Sequence, residues 1–241
     1  MDTNMSDTLL NISGLNAFYG KSHALQDVNL TVNYGELVVV VGRNGMGKTT
    51  LLRSILNFPP VKRSGSIIFD EKETIQLPTH AIAALGFGYV PQGRLLFPSL
   101  SVEEHISFAG SKAGNKSKWS IGRIYELFPE LQRRAKVGGT RLSGGEQQML
   151  AMARALMTNP NLLLMDEPSE GLSQRVIQRV EEICRHLVAE GMAILLVEQN
   201  LDMARTLAQR AYVFLNGQLA LEVTGDNFRA NPHQVGAYLG V

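Results

Sequence analysis

An α/β fold with a mainly parallel sheet is predicted for this 241-residue chain by three observations. Residues 37–41 read LVVVV, a continuously apolar, β-branched run suited to a strand buried on both faces. That run enters a glycine-rich turn and then a helical stretch at 49–56. Two further apolar runs, 162–165 and 193–197, are separated by a helical pattern at 175–190, the strand–helix–strand alternation of a parallel sheet.

The other elements follow in chain order. Residues 9–17 and 24–32 partly alternate apolar and polar residues around Gly20, which predicts an antiparallel β subdomain at the N-terminal end. Asn57, Pro59 and Pro60 end the 49–56 helix, and 66–69 and 87–90 are short strands. From about 93 to 158 the pattern is mainly helical, with a polar loop at 110–120, so an α-helical subdomain is inserted there. Residues 211–215 and 218–223 flank Asn216-Gly217, a strong hairpin signal. A single short helix is expected over 227–241. The chain reads as one domain over 8–241, with 1–7 a flexible N-terminus.

Composition narrows the partners. A net charge of +1 provides no broad basic surface, which argues against nucleic acid. Cys184 is the only cysteine, so an internal disulfide and a zinc cluster are both excluded. The polar start lacks the basic-then-apolar order of a signal peptide, and no run of ~20 apolar residues is present to span a bilayer. A cytoplasmic chain is expected, reaching a membrane only through a partner.

Three motifs carry the chemistry. Gly42, Arg43, Asn44, Gly45, Met46, Gly47, Lys48 and Thr49 fit the phosphate loop G-x-x-x-x-G-K-[ST] between a buried strand and a helix, and Thr50 continues it. Its backbone N–H groups cradle phosphates, Lys48 reaches the β- and γ-phosphates, and the Thr49 hydroxyl sits on Mg²⁺. The second motif, LLLMDE at 162–167, ends an apolar strand in two acids. Asp166 holds Mg²⁺ through water, and Glu167 orients and polarises the attacking water. A helix N-terminus explains one such acid better than two adjoining ones. The third, LSGGEQQ at 142–148, reads partly as a capping box of Ser143 with Glu146. Capping gives no reason for Gly144 and Gly145, which cost helix stability and leave N–H groups open to an anion.

Together these motifs resemble the ATP-binding-cassette (ABC) ATPases over essentially the whole chain. The resemblance implies a P-loop NTPase core of ABC type that binds ATP with Mg²⁺ and hydrolyses it. It also implies a site shared between subunits: Ser143, Gly144, Gly145 and Glu146 contact ATP held in trans by the glycine loop of the partner. Tyr19 resembles the aromatic residue that stacks on adenine. Gln92, in YVPQGR, resembles the glutamine that contacts Mg²⁺ and links the site to the helical insertion. In VEQN, Gln199 stands where the family usually has His. Glutamine donates a hydrogen bond but carries no proton near neutral pH, so Gln199 is expected to sense the γ-phosphate while Glu167 remains the main base. Ser173 likewise stands where many members have Asp.

VPQGR, LFP at 96–98, DEPSEGL, LLVEQN and the terminal AYLG narrow the resemblance to the ATP-binding subunits of branched-chain amino-acid importers. That branch implies a second ATP-binding subunit, forming a heterodimer or else a homodimer. It further implies polytopic membrane permeases, a periplasmic binding protein acting indirectly, and a peripheral location on the cytoplasmic face of a bacterial inner membrane. Urea and short-amide importers are the alternative. DNA-repair and translation cassettes fit less well, because no long heptads and no second cassette are present.

Overall fold

The computed structural model describes residues 7–111 and 117–240. The chain starts with a long hairpin, β1 (Thr8–Tyr19) and β2 (Ser22–Asn33), followed by β3 (Leu37–Val41) and helix α1 (Lys48–Ile55). Asn57, in a left-handed conformation (φ 53°), ends that helical turn. Next come β4 (Lys62–Phe69), β5 (Lys72–Glu73), α2 (Thr79–Ala83) and β6 (Phe87–Val90). The stretch predicted to be helical holds α3 (Val102–Gly110), α4 (Ile121–Leu127), α5 (Pro129–Gln132) and α6 (Gly144–Leu156). The core then resumes with β7 (Leu162–Asp166), α7 (Gln174–Ala189), β8 (Ala193–Glu198), α8 (Leu201–Leu207), β9 (Arg210–Leu215) and β10 (Gln218–Thr224). Two helices, α9 (Gly225–Ala230) and α10 (Pro232–Leu239), close the chain.

Two sheets form. The first is antiparallel in the order β2-β1-β4-β5, and the second runs β10-β9-β3-β8-β7-β6. In the second, β9, β3, β8, β7 and β6 are parallel, and only β10 is antiparallel. The unbroken apolar strands follow from this layering, since alternate side chains feed two different cores. Val38, Val40, Leu162, Leu164, Leu195 and Val197 face the first sheet, where Leu51, Leu52 and Ile55 of α1 are also packed. Leu37, Val39, Val41, Leu163, Met165, Ile194 and Leu196 face the other way, onto α3, α6, α7 and α8. Trp119, at the entrance to α4, is buried in that second core.

One expectation changes. The single helix over 227–241 is two helices, broken at Asn231 (φ −130°, ψ 60°). Pro232 forces that break, because the residue before a proline is disfavoured in the α region. Val241 lies outside the described residues, as do residues 1–6 of the expected flexible start and 112–116 of the polar loop. Asp7 is tied down, its carbonyl accepting the Tyr34 N–H at 2.9 Å. Among the described residues no helix is long and apolar enough to cross a membrane.

Candidate nucleotide site

Parallel strands bring their carboxyl ends to one edge, and the site is built there. Val41 of β3 stands opposite Glu198 of β8, and Asp166 of β7 opposite Val197. The glycine loop leaves β3 at Gly42 and enters α1 through Gly47, whose φ of 107° strains any other residue. A Cβ at Gly47 would also approach Leu25 and Phe214 to 3.0 Å. The β9–β10 turn props the loop from outside, with the Gly217 N–H donating to the Met46 carbonyl at 2.9 Å. Arg43, Asn44 and Gly45 are exposed, whereas Thr50 is half-buried.

Lys48 is only 3% exposed and is fully engaged. Its ammonium donates to the carbonyls of Gly42 (2.7 Å) and Arg43 (3.0 Å) and pairs with Glu167 Oε1 at 2.9 Å. The Thr49 hydroxyl donates to Asp166 Oδ1 at 3.0 Å, and the Tyr89 hydroxyl donates to Oδ2 at 3.3 Å. Burial pushes the Asp166 carboxyl above the usual range, against the lowering effect of those two hydroxyls. Glu167 takes a left-handed conformation (φ 46°), rare for a residue with a side chain, and its N–H donates to the Val197 carbonyl at 2.9 Å.

Gln92 joins this centre. Its amide donates to Glu170 Oε2 at 3.0 Å and, more weakly, to Glu167 Oε2 at 3.4 Å. Beyond it, Arg94 (φ 66°) and Leu95 (φ 43°) are both left-handed, and Arg154 of α6 donates to both of their carbonyls (3.0 and 2.8 Å). The Phe97 N–H donates to Nε2 of fully buried His105, whose Nδ1 bonds the Ser101 carbonyl at 2.8 Å. Gln199 lines a cleft of about 260 Å³ with Glu167, Ser169, Glu170, Glu198 and Asn200. Tyr19 closes β1 opposite Ser22 and packs half-buried on the edge of the inter-sheet core.

The LSGGE segment does not join them. Ser143, Gly145 and Glu146 line a separate cleft of about 580 Å³ with Arg133, Arg175 and Val176. Both halves of the capping box are formed. The Ser143 Oγ accepts the Glu146 N–H at 3.3 Å, and the Ser143 N–H donates to Glu146 Oε2 at 2.9 Å. That N–H is the main reason the Glu146 carboxyl lies below its usual range. Among the described residues, no hydrogen bond or ion pair links 143–146 to 42–50. Three features escaped sequence reasoning: the Tyr89 hydroxyl, the Arg154 clamp and Glu198. Glu198 had a legible signal, since it ends an apolar strand as Asp166 does.

Comparison with known proteins fits this geometry. The profile of a family described as ABC transporter matches residues 25–170. The chain is 42% identical over 234 residues to the high-affinity branched-chain amino acid transport ATP-binding protein BraG of Pseudomonas aeruginosa, covering 96% of this chain and all of that one. It is 37% identical over 214 residues to LivF of Archaeoglobus fulgidus, described as a probable branched-chain amino acid transport ATP-binding protein, covering 88% and 90%. Among solved structures, a dimeric bacterial ABC transporter cassette superposes with a TM-score of 0.78 at 25% identity, covering 89% of this chain and 98% of that one.

Proposed function

We propose that this chain, which belongs to the ABC transporter family as one of its ATP-hydrolysing cassettes, powers the uptake of branched-chain amino acids. Such cassettes work as dimers with membrane permease subunits. The single observation that carries the reading is the division of the machinery. Lys48, Thr49, Asp166, Glu167 and Gln92 meet in one cluster, while the Ser143 helix end faces another cleft. Each chain therefore offers two half-sites. The cargo rests on the relatives named for branched-chain amino acids and on Gln199.

In this reading an arriving triphosphate takes the place of Glu167 at the Lys48 ammonium, and Tyr19 stacks on the adenine. The backbone of 42–50 wraps the phosphates. The hydroxyl of Thr49, the carboxylate of Asp166 and the amide of Gln92 are hard oxygen donors that fit Mg²⁺, which supplies charge neutralisation at the phosphates. Freed from Lys48, Glu167 orients and deprotonates the attacking water. Gln199 donates to the γ-phosphate without carrying a proton. Ser143, Gly144, Gly145 and Glu146 of the opposing subunit cover that phosphate with a helix N-terminus. Loss of the bridging γ-phosphate favours reopening.

Motion leaves the site through Gln92 and the Arg154-clamped loop to exposed Leu95, Phe97 and Phe108. Phe97 and Phe108 lie edge to face at 6.4 Å, an apolar patch suited to a permease segment. The insertion over 93–158 moves as a unit within the domain 8–241. The working assembly is a pair of different ATP-binding subunits on the cytoplasmic face of a bacterial inner membrane. It is served indirectly by a periplasmic binding protein, and no nucleic acid takes part.

The test is uptake of labelled leucine and labelled urea in cells whose only copy of this chain is wild type or Glu167→Gln. Leucine uptake is expected to fall in the variant while urea uptake is unchanged. The reverse pattern would make this a urea or short-amide importer subunit.

A further inference from the structure

We propose that Glu198 is the positioning residue of the γ-phosphate side of the site, its carboxyl holding the loop after Glu167 and the Gln199 turn as one rigid unit; this rests on the ATPase reading above. Glu198 is the last residue of β8 and only 1% exposed. Its Oε1 accepts the Ser169 N–H at 2.9 Å, in the loop that follows Glu167. Its Oε2 accepts the N–H groups of Gln199 (2.8 Å) and Asn200 (2.9 Å). Its carbonyl accepts the Gly42 N–H at 3.3 Å, where the glycine loop begins. The base loop, the Gln199 turn and the phosphate loop thus converge on one residue.

A buried carboxyl is costly unless its oxygens are satisfied, and here backbone N–H groups satisfy both. Helix capping does not explain it, because Asn200 already caps α8 by accepting from Asp202 and Met203. The neighbouring Gln199 does explain it. An imidazolium attracts a phosphate over several ångströms, whereas a neutral amide acts only within hydrogen-bond reach, ~3 Å. A site that relies on Gln199 needs that side chain's backbone fixed relative to Glu167. Glu198 supplies the fixing by gripping both loops across the two walls of the cleft that Gln199 and Glu167 line.

The test is Glu198→Gln in the full chain assembled with its partner ATP-binding subunit, a substitution that keeps shape and volume but turns one acceptor oxygen toward an N–H as a donor. Three results are expected. Amide hydrogen exchange at Ser169, Gln199 and Asn200 speeds up. The kcat for ATP falls by about tenfold or more, with KM within about twofold, because the phosphate-loop donors are untouched. In a Gln199→Ala background the same substitution costs less than about threefold, since its route of action is already gone. Unchanged exchange at those amides, wild-type kcat, or an equal loss in both backgrounds would overturn the proposal. Should the assembled pair of ATP-binding subunits hydrolyse no ATP, the ATPase reading falls, while the exchange measurement still decides Glu198.

Discussion

The two halves of the nucleotide machinery are built in opposite ways. The glycine-loop half is assembled from distant parts of the chain: Lys48 pairs with Glu167, Thr49 with Asp166, and Gln92 reaches Glu167 and Glu170. The Ser143 half is local, its polar groups satisfied within one helical turn and by Arg134. Topology produces the difference. The carboxyl ends of β3, β7 and β8 share one sheet edge, whereas α6 packs on the far core. A half-site satisfied locally keeps its shape without nucleotide, which suits the proposed meeting with phosphate on another subunit.

The largest expected effect breaks the first half at its chemistry. Glu167→Gln should lower kcat by about 10²–10³, the usual worth of a general base, and accumulate an ATP-bound dimer detectable by size exclusion. Wild-type turnover would remove Glu167 from its role. Next, the halves should separate by assay. Lys48→Ala should weaken nucleotide binding to the isolated chain by about tenfold or more, through loss of a charge-assisted contact. Gly144→Ala should leave that binding within about twofold yet cut turnover about tenfold by displacing the opposed helix end. Equal effects of both variants on isolated-chain binding would show that the halves are not separate.

Smaller effects test the local half and the loop between the two. Glu146→Ala breaks the capping box and should cost about 1 kcal/mol, read as a melting temperature lower by about 2–4 °C. The Glu146 carboxyl is depressed in the fold, so its contribution is present above the ordinary carboxyl value of 4.5 and lost as pH falls through the folded value. The alanine variant should lack that acid slope. Burial likewise lowers the His105 imidazole below 6.5. Its stabilisation is therefore full above pH 6.5 and lost as pH falls through the folded value. Thermal melts across that range should show the slope in the parent and not in His105→Gln, with exchange at Phe97 rising first.

Legibility followed the range of the interactions. The 37–41 strand, the glycine loop and the Asp166–Glu167 pair were readable because pattern and motif lie within a few residues. Asn216-Gly217 was readable as a turn, but its support of Met46 depends on a contact across 171 positions and was not. Helices α2 and α8 are too short to show a period. Glu198 carries a local signal as the acid that ends an apolar strand, but nothing near it in sequence reveals its bond to Ser169, 29 residues away. The break at Asn231 was readable in principle, since Pro232 carries it, and the apolar spacing hid it.

Gly145 packs against α7, and a Cβ there would meet the Val176 side chain at 2.8 Å, whereas one at Gly144 meets only the tip of Arg94 at 3.7 Å. If the proposed trans contact holds, two selective pressures fall on a single hydrogen atom at Gly145: room for a neighbouring helix, and closeness to a partner's phosphate. Descendants of this sequence can relax at Gly144 if the second pressure fades, but not at Gly145. In a lineage that lost hydrolysis, the second glycine of the pair would outlast the first.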